Sequence, residues 1–513
     1  MTCCWKFTAV AERAVVAFSS ASRGDVPRRS GNGSVSAVAL VPLQQGHLVV
    51  SSCGAADAFG IAARQMTVFS KKRLNVVWRS IDMFAGAGGL SEGLRMAGFE
   101  CLWANEFDKY AAATFAENFP SAQVNSTDIR ELSPAKVRSS LGLNIGELDL
   151  LAGGPPCQGF STYGKRDEFD PRNQLYRNFF EFIGEFQPKC FVMENVIGLL
   201  SMNDGEVIAD VLNIAKSLGY EAQVHNVRAE NYGVPQKRRR VFVIGARTGG
   251  APKFIEPQFE VKVAPSIVDL FGEHANGLQP VRSVRDAISD LALSEPFPPA
   301  DTERSISYPC PPQSEYQNLM RAGMSEAVNH SAKRMLGVRR LRLALMRPGD
   351  YGRQLRERIQ GDGLPYAAID EILVGHGSVR DIEGCRKQDV VVEMKLREML
   401  HEGKHDPNEI LSFIDHGGFA NKYRRLSWDE PSHTLVAHMA RDCSDFVHPD
   451  LDRFISVREA ARLQSFPDRF KLPGSQFQQF KQLGNAVPPL LGKAVGDSVI
   501  RHLAQQSAAV RVV

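Results

Sequence analysis

One thiol, one carboxylate and two guanidiniums in this sequence occupy positions from which they could act as reactive groups. Cys157 lies in GGPPCQGFS, immediately after the apolar run Leu148 to Ala152. Pro155 and Pro156 fix φ and restrict the residue before each, so the thiol projects from a stiff backbone. A positioned thiol is a candidate nucleophile, because cysteine carries a few per cent of thiolate at neutral pH. The alternative is a small buried hydrophobe, the commoner state of a lone intracellular cysteine. Glu194 follows the apolar run Cys190 to Met193, an unfavourable place for a carboxylate unless an ion pair or a reaction uses it. Arg238 and Arg240 alternate in QKRRR, a basic cluster that by charge alone reads as a solvated edge but whose spacing is informative.

Such side chains need a sheet to hold them. LDLLAGG reads as a buried parallel strand whose loop leaves at the carboxyl end, the edge where open α/β sheets place their chemistry. Upstream, LNVVWRSIDMF predicts a strand, FAGAGGL a glycine-rich turn, and GLSEGLRMAGF a helix closed by Gly98. Together these form the first βα unit of a Rossmann-like sheet. Gly86, Gly88 and Gly89 make GxGG and not the dinucleotide pattern GxGxxG. The next strand, ECLWANEF, brings Glu106 to its tip, where it would accept from both ribose hydroxyls. Asp128 in NSTDIR falls at the following strand end. Either acid alone reads as a solvated loop residue; at successive strand ends the two read as a cofactor pocket. A helix (YRNFFEFIGEF), the strand PKCFVMENV and two further strands up to VFVIGA follow. From about Thr248 to Asp452 the periodicity weakens. There Arg339, Arg340, Arg342, Arg347, Arg353, Arg356 and Arg358 suit phosphate contacts or an exposed helix face.

From about Ser80 to the C-terminus the chain resembles the bacterial-type, S-adenosylmethionine-dependent DNA cytosine-5 methyltransferases. GGPPCQGFS matches their nucleophile motif, FAGAGG their first motif, Glu194-Asn195-Val196 their ENV motif and Gln236, Arg238, Arg240 their QxRxR pattern. RFISVREAARLQSFPDRF and QFKQLGNAVPPLLGKAVGDSVI resemble their last two motifs. The resemblance implies an α/β fold: a Rossmann-like methyltransferase domain with a mixed, mostly parallel seven-stranded sheet, and a smaller irregular target-recognition domain. It implies that Cys157 adds to carbon 6 of a flipped cytosine while Glu194 contacts the endocyclic nitrogen and amino group. Arg238 is carried over to the cytosine carbonyl and Arg240 to a supporting role. The cofactor set is Phe84, Gly86, Gly88, Gly89, Glu106, Phe107, Asp128, Ile129, Pro156, Asn485 and Val487, with Phe84 near the adenine and Asp128 accepting from its amino group. No metal is implied.

The domains expected are a low-acid leader over 1-73, a catalytic part over 74-247, the target-recognition domain over 248-452, and a return to the catalytic domain over 453-513. The leader resembles a transit peptide, and is read either as a dispensable extension upstream of a second start at Met66 or as a disordered tail with some role. Of 513 residues 43% are hydrophobic and 23% charged, which suits a globular protein of two or three domains. A net charge of +3 is too small to bind nucleic acid without local clustering. Nine cysteines with no CxxC pair argue against a disulfide framework or structural zinc. The expectation is a monomer in the cytoplasm, nucleoid-associated through double-stranded DNA, with a cognate restriction endonuclease acting separately and no membrane span. A transfer-RNA cytosine methyltransferase is disfavoured because no CFT signature occurs. A non-catalytic DNA-binding regulator is disfavoured because PPCQ and ENV are both present, and an NAD dehydrogenase is disfavoured by GxGG.

Overall fold

Strand-forming and helix-forming runs alternate from Trp78 onward, and the chain folds them as successive βα units. The structure, a computed structural model, describes residues 77–156, 175–260, 278–291, 304–332, 335, 337–362, 394, 398 and 422–510. Cys157 and the leader lie outside these residues. In β1 (Trp78–Met83) every side chain from Ser80 on is buried. Helix α1 (Gly89–Ala97) ends at Gly98, whose φ of 113° lets its N–H reach back to the carbonyls of Leu94 and Arg95; an L side chain is strained in that conformation. There follow β2 (Phe99–Asn105) and α2 (Lys109–Asn118), whose first turn is capped by the Asp108 carboxylate accepting from the N–H groups of Tyr110 and Ala111. The series continues with β3 (Gln123–Asn125), α3 (Pro134–Ser140), β4 (Leu150–Gly153), α4 (Leu175–Phe186), β5 (Cys190–Asn195), α5 (Glu206–Ser217), β6 (Glu221–Arg228) and β7 (Arg239–Ala246).

These strands form one seven-stranded sheet in the order β3-β2-β1-β4-β5-β7-β6. Strands β1 to β5 pair in parallel, and β7 runs antiparallel to both β5 and β6. This is the expected mixed, mostly parallel sheet. Because side chains alternate along a strand, each strand feeds two cores. Leu150, Ala152, Cys190 and Val192 join one with Leu90, Leu94 and Phe115. Leu151, Phe191 and Met193 join the other with Phe179, Phe182 and Val211.

Beyond β7 the elements shorten, as the weak periodicity of that segment predicts. They are β8 (Phe259–Glu260), β9 (Gln279–Pro280), α6 (Val284–Ile288), β10 (Ser305–Ser307), α7 (Glu315–Arg321), β11 (Glu326–Val328), α8 (Gly337–Ala344) and α9 (Gly352–Asp362). The chain then returns through α10 (Val457–Leu463), α11 (Gln476–Asn485) and α12 (Pro489–Val510). Helix α12 lies directly on α1. A Cβ on Gly93 would fall 2.4 Å from the Pro489 carbonyl oxygen and 2.5 Å from the Gly492 Cα, so only glycine permits this approach. The C-terminal motif therefore comes back beside the first βα unit, as the resemblance implied.

Val77–Val513 forms one compact unit, so the divisions expected after residues 247 and 452 are not breaks in packing. Buried ion pairs cross the second of them. Arg462 on α10 donates to Asp290 at 2.6 Å and to Asp468 at 2.8 and 2.6 Å, and Asp290 also accepts from Arg321. Among the described residues no helix is long and apolar enough to cross a membrane.

Candidate active site

In a parallel sheet the loops after the strands gather along one edge, and here that edge is hollow. A cavity of about 610 Å³ is lined by the residues after β1 (Phe84, Gly86, Ala87), around the end of β2 (Asn105 to Asp108), after β3 (Asp128 to Arg130), after β4 (Gly154 to Pro156) and at the end of β5 (Glu194 to Val196). Its remaining wall comes from Arg240 and from Lys481, Gln482, Asn485 and Ala486.

On the β1 to β3 side the lining is shaped for a ligand. Gly86 takes φ +57°, and a Cβ there would meet no atom within 4 Å and would intrude on open space. The Glu106 carboxylate accepts from the N–H groups of Gly86 at 2.8 Å and Asp108 at 2.7 Å, which fixes its orientation and leaves lone pairs for hydroxyl donors. Burial raises its pKa, and those backbone bonds oppose the shift. Phe107 is 71% exposed, an apolar ring presented at the rim. Asp128 is held down to about 2 by hydrogen bonds from Arg130, so it remains an anionic acceptor.

Toward β5 the lining becomes ionic. Antiparallel pairing sets Asn195 opposite Val241 and Glu194 opposite Phe242, which delivers the amino end of β7 to the carboxyl end of β5. Arg240 therefore meets Glu194, with Nε donating to Oε1 at 2.7 Å and both side chains mostly buried. Burial lowers the Arg240 pKa and the Glu194 charge opposes it. Glu194 Oε2 lies 3.1 Å from where a Cβ on Gly154 would stand, so the carboxylate rests against the glycine-proline loop. That loop is pinned on both sides: the Asn195 amide donates to the Pro155 carbonyl at 3.0 Å, and the Gly154 N–H to the Met83 carbonyl at 3.2 Å. Pro156, immediately before Cys157, lines the cavity.

Of the site residues read from sequence, the structure gathers Phe84, Gly86, Glu106, Phe107, Asp128, Ile129, Pro156, Glu194, Arg240 and Asn485 around one cavity. Gly88, Gly89 and Val487 stand behind it. A Cβ on Gly88 would fall 2.6 Å from the Phe119 ring, and one on Gly89 would fall 2.2 Å from the Val487 carbonyl oxygen. These three hold the glycine loop against its packing partners and are not among the residues lining the cavity.

Arg238 requires a correction. It is 1% exposed, and its guanidinium donates to the carbonyls of Leu435, Gly484 and Ala486 at 2.7 to 3.1 Å, so it ties the α11–α12 junction to the sheet. Burial, then repulsion from Arg240, pulls its pKa well down. Arg240, and not Arg238, lines the cavity beside Glu194. Asn195, Lys481 and Gln482 were not singled out for the site, although Gln482 sits at helical i, i+3 spacing from Asn485 and could have been found that way.

Residues 78–501 match the family model described as C-5 cytosine-specific DNA methylase. The chain is 52% identical over 426 residues to the Type II methyltransferase M.AgeI of Thalassovita gelatinovora, covering 82% of this chain and 99% of the relative. It is 32% identical over 430 residues to the Type II methyltransferase M.DdeI of Desulfomicrobium norvegicum, covering 82% and 88%. Among solved structures, a prophage protein from E. coli provisionally described as a DNA modification methyltransferase shares the fold, with a TM-score of 0.58 at 22% identity over 83% of this chain and 99% of that one. A match this long takes in every strand of the sheet and every described wall of the cavity, and on that ground the chain belongs to the C-5 cytosine-specific DNA methylases and is a DNA cytosine-5 methyltransferase.

Proposed function

We propose that this enzyme transfers a methyl group from S-adenosyl-L-methionine to carbon 5 of one cytosine in a specific double-stranded DNA sequence, through a covalent adduct with Cys157. The observation that carries this reading is the Glu194 carboxylate held between Arg240 and the backbone leading to Cys157, in the same cavity as Glu106 and Asp128. When bound, the cofactor supplies a methyl group on a positively charged sulfur. The cavity's volume is that of a pocket for such a ligand, and Glu106 offers acceptors where a ribose would lie.

Carbon 5 of cytosine is a poor nucleophile until a group adds at carbon 6. The Cys157 thiolate forms the sulfur–carbon 6 bond, and the displaced electron pair moves toward the ring nitrogen and carbonyl. Glu194 shares a proton with that nitrogen while Arg240 answers charge on the carbonyl. Carbon 5 takes the methyl group, and loss of its proton restores the ring double bond and expels the thiolate. The target base leaves the stack, since a paired cytosine cannot be approached in this way. Residues 248-452 read the sequence around it. The type II relatives support a restriction-modification setting with a separate cognate endonuclease, and we infer a monomer acting there on nucleoid DNA in the cytoplasm.

Duplex DNA bearing 5-fluorocytosine at the target tests the mechanism, because fluorine does not leave as a proton does. The wild type with cofactor should form a complex that survives denaturing electrophoresis, while Cys157→Ala forms none yet still binds cofactor. Methylation by the alanine variant would overturn the adduct.

A further inference from the structure

Helix α11 carries a buried side chain to which the described residues offer no partner. Gln482 is 5% exposed and lines the cavity, and among the described residues neither its amide nitrogen nor its amide oxygen has a hydrogen-bond partner. Other buried amides nearby use at least one end. Gln236 donates to the Leu463 carbonyl and to Gln464 and accepts from the Leu435 N–H. Gln479 donates to the Leu472 carbonyl although its oxygen has no partner among the described residues, whereas Gln482 uses neither end. An amide brings two donors and two lone pairs, and burying it without replacing its bonds to water is unfavourable. Such an exception calls for a cause, and on a cavity wall the cause is an occupant.

The position of Gln482 selects which part of the occupant it meets. With the ribose at Glu106 after β2 and the adenine at Asp128 after β3, the rest of the cofactor runs the other way along the edge, over the loop after β1 and toward β4. Gln482 lies one helical turn before Ala486, which also lines the cavity and stands 3.2 Å from the Cβ position of Gly89, where that loop enters α1. The part of the cofactor falling there is its amino-acid end, an ammonium donor beside a carboxylate acceptor. A neutral amide answers both without adding charge. Resting on the proposed function, we infer that Gln482 is a cofactor-contact residue whose amide hydrogen-bonds the α-ammonium and α-carboxylate of S-adenosylmethionine.

Calorimetric titration of the full chain with two ligands tests this without recourse to turnover. S-adenosylhomocysteine has the amino-acid end, and 5′-methylthioadenosine keeps the nucleoside and sulfur but lacks it. Gln482→Met should weaken S-adenosylhomocysteine about tenfold, as expected for lost bonds to charged groups, and leave 5′-methylthioadenosine within about twofold of wild type. If the methionine variant fails to fold, Gln482→Asn carries the same comparison, since it keeps a buried amide but withdraws it by one methylene from the ligand's amino-acid end. Equal weakening of both ligands would place the amide on the nucleoside and overturn the inference, as would no weakening of either. A wild type that binds neither ligand overturns the cofactor assignment itself, an outcome distinct from a failure confined to Gln482.

Discussion

Arg238 and Arg240 are two residues apart and chemically identical, yet their surroundings give them different work. Arg240 opens on the cavity and pairs with Glu194, whereas Arg238 is enclosed and answers three main-chain carbonyls. Arg240→Ala should cut kcat by about a hundredfold, the loss typical of removing one preorganised donor, with a fall in thermal midpoint smaller than that of Arg238→Ala because Glu194, left without its partner, faces the cavity and can recruit water. Arg238→Ala should do the reverse first. It strips buried carbonyls of their partners at about 1–3 kcal/mol each, so the thermal midpoint falls before any kinetic effect is separable. Equal midpoints for the two variants would refute this division. A third buried group sets a pH dependence. Asp82 accepts from the Ser91 hydroxyl at 2.6 Å, and burial pushes its pKa from 3.8 to about 7, opposed by Ser91 and aided by the charges of Glu106 and Glu194. The native state thus keeps a proton that the unfolded chain releases near pH 4. Stability is full below that point and falls as pH rises toward 7, by an amount on the order of a few kcal/mol. Asp82→Asn, which keeps an acceptor for Ser91, should gain on wild type steadily between pH 4 and 8. A midpoint difference that stays flat with pH would show that Asp82 does not titrate in this range.

At the scale of elements, the crossing of α1 and α12 closes the pocket, and glycine sets its distance. Gly93 faces the Pro489 carbonyl and Gly492 with no room for a methyl group, while Gly184, inside α4, would meet only Leu218 at an ordinary 3.5 Å. The same substitution should therefore act in opposite directions. Gly184→Ala should raise stability by about 0.5–1 kcal/mol through helix propensity. Gly93→Ala should lower it by roughly 1–3 kcal/mol through overpacking. It should also weaken cofactor binding, because Ala486 and Asn485 ride on the junction that α12 pulls into place. Chemical denaturation and a cofactor titration read both effects, and a neutral Gly93→Ala would mean that α12 can shift without disturbing the site.

Across the whole molecule, the buried arginine network fastens residues 248-452, the segment proposed to read the target sequence, to the C-terminal motif. Arg462 reaches Asp290 and Asp468, Arg458 reaches the Val328 carbonyl at 2.8 Å, and Tyr308 donates to Asp468 at 2.5 Å. Removing one partner of such a pair leaves a buried charge, at a cost of about 3–5 kcal/mol. Replacing 248-452 with the corresponding segment of M.DdeI should move methylation to that relative's site only when partners for Arg458 and Arg462 come with it. A chimera lacking an acid at position 290 should be recovered unfolded. Bisulfite sequencing of DNA from expressing cells reads the outcome. An active chimera that still marks the original sequence would remove recognition from this segment.

Periodicity and spacing were sufficient to specify the βα series and to put Glu106 and Asp128 near its strand ends, while the family resemblance singled out Glu194. Strand alternation, glycine turns and acids at strand ends are local signals that survive without any partner in view. The sequence alone did not separate Arg238 from Arg240, because QKRRR shows only an alternation, and the face each residue takes depends on which carbonyls α11 and α12 bring to it. Nor did it show that Gly88 and Gly89 pack so tightly behind the cavity, since that follows from the Phe119 ring and the Val487 carbonyl oxygen standing 2.6 and 2.2 Å from where a Cβ would be. The continuity of packing across residues 247 and 452 was equally invisible, because Arg462 and Asp290 are 172 positions apart in the chain. Local sequence fixes what a segment can form. Which side chains end up facing a ligand, and which are buried as braces, depends on contacts between segments remote in the chain, and those exist only once it has folded.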